Sequence, residues 1–192
     1  MRLEVTYNAV DYLELLTLAV VKQHLKLFWD DTDEDSLIAT YANAALLYCA
    51  NVTGHMLKTS DDLSTAIVTL DRGEKKAWLR GVTGATIDSV QYLDSDFVYQ
   101  DYEDYKVIDS IYPHQVFIGT YPDDINMDVD NSLIKISLSG GTLISSLPSQ
   151  YKQAVLLLVG HYYANREAEY IGGVTSEIKE GVHRLLQSVR KY

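Results

Sequence analysis

The sequence predicts an α+β fold, mainly an α-helical bundle with an inserted antiparallel β-rich projection. Three observations predict it. Helical hydrophobic periods flank a central region, the central region alternates apolar and polar residues, and turn residues separate its alternating segments. The 192 residues are enough to bury a core without a metal or a disulfide. We expect one domain over residues 1–172 and a separate C-terminal helix within residues 173–192.

Two amphipathic helices are predicted in the first third of the chain. They cover residues 17–27 and 33–53, where apolar residues recur three and four positions apart. Hydroxyl and carboxylate side chains cap helix starts, and glycine commonly follows helix ends. The expected capping and ending residues are Thr17 for the first helix, Thr32 or Asp33 for the start of the second, and Gly54 for its end.

The β-rich insertion is predicted over residues 63–140. Its segments alternate apolar and polar residues and are joined by Gly, Asp and Pro turns, which is typical of an antiparallel sheet or a long hairpin. The predicted strands are 65–70, 75–80, 86–93, 105–111 and 133–138.

A third helix is predicted over residues 148–168, with Pro148 at its first position. Residues 154–164 are apolar almost all the way round, so this helix must be covered on more than one side. We expect a neighbouring subunit to supply part of that cover. Gly160 costs about 1 kcal/mol relative to Ala inside a helix, which predicts a close approach of another group there.

A last amphipathic helix follows the Gly172–Gly173 pair. Acidic residues precede basic ones along it, as the helix dipole prefers. A glycine hinge before an apolar stripe suits a helix that docks on a partner. The stripe consists of Ile178, Val182, Leu185, Leu186 and Val189.

No set of residues predicts catalysis, a metal site or a cofactor. The acidic runs that begin at Asp31 and at Asp124 both fail the calcium-loop pattern, which needs Gly at position 6 and Glu at position 12. The five histidines are scattered, and none lies three or four residues from another. Cys49 lies on the apolar stripe of the second helix, where a buried thiol is expected. We therefore predict a protein that is not an enzyme, and the absence of a long apolar stretch predicts no membrane contact.

Charge is unevenly distributed along the chain. There are 16 Lys and Arg against 27 Asp and Glu, a net charge of −11, which disfavours tight binding of nucleic acid. The segment 94–130 carries ten acids and a single base, Lys106, together with five tyrosines. We expect either a solubilising loop set or a charged contact surface there.

Three ordered segments, together with one strand, carry a family resemblance. The first is TLAVVKQHL at 17–25. The second is DEDSLI at 33–38, continued by VTG at 52–54. The third runs over 147–167 and includes LP, LLLV, HYY and NRE, and the strand IDSVQYLD at 87–94 also matches. These segments resemble the head-to-tail connector (adaptor) proteins of long-tailed bacteriophages, over most of residues 17–167.

The resemblance implies a structural protein of the virion neck, assembled in the host cytoplasm. Twelve copies would form a ring between the portal protein and the tail, bound on the tail side to a stopper or tail-terminator protein. Double-stranded DNA would pass through the ring without being held tightly.

The implied portal-docking candidates are Ile178, Val182, Leu185, Leu186 and Val189. The implied subunit-interface candidates are Leu157, Gly160, His161, Tyr163 and Arg166. The channel or tail-side candidates are Asp94, Asp96, Asp101, Glu103, Asp104, Asp123, Asp124 and Asp128.

Two alternatives remain open at this point. A stopper or tail-completion protein would also be acidic and form a ring, although the order of the segments favours the adaptor. A small-molecule-binding domain is the alternative from a different class, and it would need converging polar groups in a pocket.

Overall fold

The computed structural model describes residues 1–7, 11–60, 62–108, 113–126, 128–129, 133–165 and 175–190, with side chains from 180 onward in the last range. The helices in these ranges are α1 (Leu18–Leu25), α2 (Asp35–Thr53), α3 (Ser149–Ala164) and α4 (Thr175–Gln187). The strands are β1 (Arg2–Thr6), β2 (Leu57–Lys58), β3 (Ser64–Leu70), β4 (Lys76–Leu79), β5 (Ala85–Leu93), β6 (Tyr99–Asp101), β7 (Tyr105–Ile108), β8 (His114–Ile118), β9 (Ile134–Gly140) and β10 (Thr142–Leu143).

The helices pack together around α3. Its neighbours are α2, α4 and α1, and the apolar residues of all four helices share one core. The helices α2 and α3 run antiparallel, since Tyr163 near the end of α3 contacts Glu34 before α2, while Tyr151 near its start contacts Thr53 at the end of α2. The apolar stripe of each helix is thereby removed from water.

The strands form a second core between two antiparallel sheets. The larger sheet has the order β1-β3-β9-β5-β6, and the smaller has the order β4-β8-β7. Successive side chains of a strand point to opposite faces of the sheet, so every second residue points inward. The inward residues of both sheets form one buried apolar cluster. The result is a two-layer β unit with one polar outer face on each side.

The helical core meets one end of this β unit. Close backbone contacts make that junction, where a Cβ added at Gly141 would lie 2.6 Å from the carbonyl oxygen of Met56. At the opposite end β3 finishes, β9 begins, and the segments 71–75, 93–98 and 119–126 come together. We call this opposite end the distal end.

The α+β class is confirmed, but a mainly helical bundle is not, because helices and strands take nearly equal shares of the chain. All five predicted strands are present, with ends shifted by one or two residues and with 109–112 outside the described residues. In the described ranges the structure adds five unpredicted strands, β1, β2, β6, β8 and β10, of which β1 lies where the sequence predicted no element.

The predicted helix ends are partly right. Thr17 caps α1 by accepting a hydrogen bond from the Val20 N–H, and Gly54 ends α2 in the left-handed conformation. The prediction that Thr32 or Asp33 caps α2 is wrong, because Glu34 occupies that position without a side-chain cap. Pro148 lies just before α3 rather than at its first residue.

Candidate assembly surfaces

The predicted subunit-interface residues line the half-buried side of α3. Leu157 and Tyr163 pack at the edge of the helical core, and the Tyr163 hydroxyl donates to the Glu34 carboxylate. The His161 imidazole lies 3.1 Å from the Asn165 side-chain amide. Arg166 lies outside the described residues. A role for these residues between subunits stays a prediction.

The cover that α3 needs comes largely from the same chain. Three other helices contact it, but some of its apolar side chains stay half-buried, so cover from a neighbouring subunit stays a prediction. The predicted close approach at Gly160 is made by a side chain, since an added Cβ would lie 3.3 Å from Nε2 of His24. Gly160 thus makes room for α1 within one subunit.

The predicted docking stripe on α4 is also used within the chain. Val182 and Leu186 are fully buried in the helical core, and Leu185 and Val189 are half-buried against it. The side chain of Ile178 lies outside the described residues. Docking of this stripe on a portal stays a prediction, and it would first require α4 to leave its own core.

Two of the predicted channel carboxylates build the turns of the distal end. Asp94 accepts hydrogen bonds from the backbone N–H groups of Asp96 and Val98 and, at 2.7 Å, from the Gln100 side-chain amide. The Gln100 bond is the main cause that holds the pKa of Asp94 below its ordinary value, followed by the Val98 N–H. Asp124 accepts from the Tyr92 hydroxyl at 3.0 Å.

Two further acids in this set are also bound to their own chain. Asp104 accepts a 2.8 Å hydrogen bond from the Thr120 N–H and lies so close to Gly119 that an added Cβ there would displace its carboxylate. Asp101 accepts from the Gln91 side-chain amide at 3.1 Å. These carboxylates are structural as well as negatively charged.

The remaining candidates face solvent. Within the described part of the chain these carboxylates make no side-chain hydrogen bond or ion pair. Their charge creates a negative field at the distal end and at its β6–β7 side, which is the turn between β6 and β7. They are Asp96, Glu103, Asp123 and Asp128.

Three of the five tyrosines of the acidic segment make specific contacts within the described part of their own chain. Tyr102 is buried and donates to the Thr120 carbonyl oxygen at 2.8 Å, and Tyr121 donates to the Glu74 carbonyl oxygen at 2.8 Å. Burial raises the pKa of both hydroxyls. Tyr99 lies beneath the Lys135 ammonium. The hydroxyls of Tyr102 and Tyr121 thus tie loops to the β unit, and a charged contact surface in this segment stays a prediction.

A cationic surface that the sequence did not predict lies on the outer face of the smaller sheet. The Lys76 ammonium lies 4.1 Å from the Trp78 ring centroid and 4.9 Å from that of Phe117, and Arg80 also approaches Trp78. Lys106 pairs in register beside Phe117. The signal was present in the alternation of bases and aromatic residues along 75–80, in a chain that is acidic elsewhere.

The described residues hold no group of three or more His, Cys, Asp and Glu side chains placed to bind a metal ion. Cys49 is fully buried, and burial raises its pKa to about 12, so its thiolate is not formed near neutral pH. The Nδ1 of His55 lies 2.9 Å from the Thr53 hydroxyl, which gives that ring a structural partner. Among the described helices, none is long and apolar enough to cross a bilayer.

Comparison with known proteins defines the fold class. No protein-family model matches the sequence, and no curated protein matches it either. The chain is similar in structure to a chain in the virion of a native gene transfer agent particle, with a TM-score of 0.66, 21% identity, and 98% of this chain and 95% of that chain covered.

Two structures of the particle's neck give the same result. In the neck of the empty particle computed with C6 symmetry, the matching chain has a TM-score of 0.65 and 20% identity, with 100% of this chain and 96% of that chain covered. In the neck of the native particle computed with C12 symmetry, the TM-score is 0.63 at 20% identity, with the same coverage. The two proteins thus share a fold over their whole lengths.

Proposed function

We propose that this protein is a head-to-tail connector (adaptor) of a phage-like particle. The observation that carries the proposal is the fold similarity over essentially the whole chain to proteins of gene transfer agent necks. The ordered segments at 17–25, 33–54 and 147–167 support the same family independently, because they come from the sequence alone. The protein would act as a structural component of the virion neck and not as an enzyme.

In this proposal the copies form a ring between the portal and the tail or stopper. The neck of the native gene transfer agent was computed with C12 symmetry, which supports twelve copies here. A ring needs two different surfaces on each subunit, so that repeated rotation closes the assembly. The two polar outer faces of the β unit and the two ends of the helical core offer such separate surfaces.

The negative charge is suited to a DNA channel. Fixed positive charges would make many phosphate contacts and slow the passage of DNA, whereas a net charge of −11 on each copy repels the backbone. We assign the solvent-facing acids of the distal end and its β6–β7 side to the channel or to the tail-side contact. Four such acids on each copy would repeat around the ring.

The deciding experiment measures assembly and partner choice. The mass of the purified protein is determined by light scattering over a range of concentration, alone and with recombinant portal. A ring in solution or on the portal supports the adaptor. A ring that binds only tail-side proteins would identify a stopper or tail-completion protein instead, and a monomer that ignores both would overturn the neck function and favour a ligand-binding domain.

The channel assignment is tested separately by charge neutralisation. The triple variant Asp96→Asn, Glu103→Gln and Asp123→Asn is compared with Glu4→Gln, Asp62→Asn and Glu180→Gln, which removes the same charge elsewhere. We expect only the first variant to change DNA retention or ejection in complemented particles. Equal behaviour of the two variants would contradict the assignment.

A further inference from the structure

The loop between α1 and α2 exposes two adjacent aromatic side chains. Phe28 is 79% exposed and Trp29 is 82% exposed, more than any other large apolar residue in the described part of the chain. Leaving such surface in water is unfavourable, and exposed aromatic pairs mark contact sites. Trp is also the residue type most enriched among the residues that dominate binding energy at protein interfaces.

The backbone beneath these rings is held in place. The buried Lys22 ammonium donates to the carbonyl oxygen of Asp31 at 2.6 Å and to that of Trp29 at 3.5 Å. The same ammonium forms an ion pair with Asp35 at the start of α2. Because the loop is anchored from inside, Phe28 and Trp29 are presented on a preorganised support, which lowers the entropy lost on binding.

A recess of about 350 Å³ lies at the other end of the helical core. Its lining combines apolar residues, Leu147, Pro148 and Val189, with polar ones that include Ser146, Ser188 and Arg190. This size falls within the range of pockets that hold small organic groups, so an aromatic side chain fits.

The two features lie at opposite ends of α2. That helix has 19 residues, and a rise of 1.5 Å per residue gives a length of about 28 Å. The loop precedes its first residue, whereas His55, just after its last residue, lines the recess. The aromatic pair therefore cannot reach the recess of its own chain.

We propose that Phe28 and Trp29 of one copy enter the recess of a neighbouring copy in the ring. Charge complementarity supports a second copy as the occupant, because Asp30 and Asp33 follow the aromatic pair while Arg190 lies at the recess. The contact joins two different surfaces, as a closed ring requires. The inference rests on the proposed ring and names the contact that closes it.

A cysteine pair tests this contact directly. The double variant Thr32→Cys and Ser188→Cys keeps both aromatic rings and both acids, and the separation of the two sites within one chain is far beyond the roughly 7 Å between Cα atoms that a disulfide spans. Oxidation should therefore produce a ladder of covalently linked subunits. Each single variant is the control and should give no ladder beyond the dimer, since Cys49 is buried.

Removal of the rings is the second test. The variant Phe28→Ala and Trp29→Ala should weaken subunit association by about 30-fold or more, the effect of losing a dominant interface residue. Its fold should persist, because both side chains are exposed. The matched control is Leu13→Ala, which removes another exposed apolar side chain before α1 and should assemble like the wild type.

The outcomes separate the two proposals. A ladder together with loss of assembly in the alanine variant supports the contact. A wild-type ring with no ladder, or with full assembly of the alanine variant, overturns the contact and leaves the connector proposal standing. A wild-type chain that forms no ring, alone or on a portal, overturns both.

Discussion

The Lys22 ammonium lies 2.6 Å from Oδ1 of Asp35 and joins the last turn of α1 to the first residue of α2. Lys22 is only 4% exposed, so its charge is compensated inside the protein rather than by water. Its remaining donors are taken by backbone carbonyl oxygens of the intervening loop. One side chain therefore fixes the angle between two helices and the course of the loop that joins them.

Replacing Lys22 by Met should destabilise the protein by about 1–3 kcal/mol, because the Asp35 carboxylate loses its ion-pair partner and two carbonyl groups lose their donor. The partial exposure of Asp35 keeps the loss below that of a fully buried pair. Urea unfolding measures the change, with Lys152→Met on α3 as the control, expected within about 0.5 kcal/mol of the wild type. Equal stability of both variants would show that the pair does not hold the loop.

Gly119→Ala should destabilise the distal end. An added Cβ would lie 2.0 Å from the Asp104 carboxylate oxygen that accepts from the Thr120 N–H, so the carboxylate must move away. We expect a loss of about 1–3 kcal/mol. In contrast, Gly181→Ala in α4 meets nothing within 4 Å and should stabilise the helix by up to about 1 kcal/mol.

A double-mutant cycle identifies the cause of that loss. In an Asp104→Ala background the side chain that collides with the new Cβ is absent, so Gly119→Ala should be much less harmful there. Thermal unfolding of the four proteins gives the coupling. Strictly additive effects would mean that Gly119 is needed for a reason other than the Asp104 carboxylate.

Stability should fall in alkaline solution. In the folded state the pKa of Cys49 is about 12, whereas in the unfolded chain the thiol ionises near its ordinary value of 9.0. Below pH 9 both states keep the proton and nothing changes. Between pH 9 and 12 only the unfolded state releases it, so unfolding becomes more favourable by up to about 1.4 kcal/mol per pH unit.

Burial also raises the pKa of the Tyr151 hydroxyl, so tyrosine ionisation adds to this trend. Urea unfolding at pH 8 and pH 10.5 measures the combined slope. Cys49→Ala should reduce the slope without abolishing it, and the wild-type thiol should resist labelling until the protein unfolds. Rapid labelling of the native protein at pH 8 would contradict the burial of Cys49.

Leu186→Ala should cost about 2–5 kcal/mol of the free energy of unfolding, because this fully buried side chain leaves a cavity in the helical core. Gln187→Ala, next to it on the exposed face of α4, should have little effect. Circular dichroism during heating compares the two variants. If α4 were instead a free docking helix, Leu186→Ala would leave the isolated protein as stable as the wild type and would weaken only portal binding.

Much of the helical part could be predicted from the sequence, because apolar residues three and four positions apart come to lie on one face only when the segment is a helix. Thr17 and Gly54 were found for the same reason, since capping depends on neighbours along the chain. What covers each stripe depends on distant segments. The stripe of Val182 and Leu186 therefore predicted the helix, but not its packing on the helical core of its own chain.

The acidic segment shows a second limit of sequence analysis. Its charge was evident, but the division of the acids into structural and solvent-facing ones depends on contacts such as that between Asp94 and Gln100. The pair Phe28 and Trp29 has no hydrophobic period, so no pattern marked it. Only its exposure in the folded chain distinguishes it from a core pair.

The first strand has a protective role at the edge of the larger sheet. β1 pairs with β3 along five residues, from Arg2 opposite Thr69 to Thr6 opposite Thr65. Without it the N–H and C=O groups on that side of β3 would be open, next to the exposed Ile67, and such an edge accepts strands from other molecules. A chain shortened by its first seven residues would therefore fail by aggregating through β3, even though its two cores would remain almost intact.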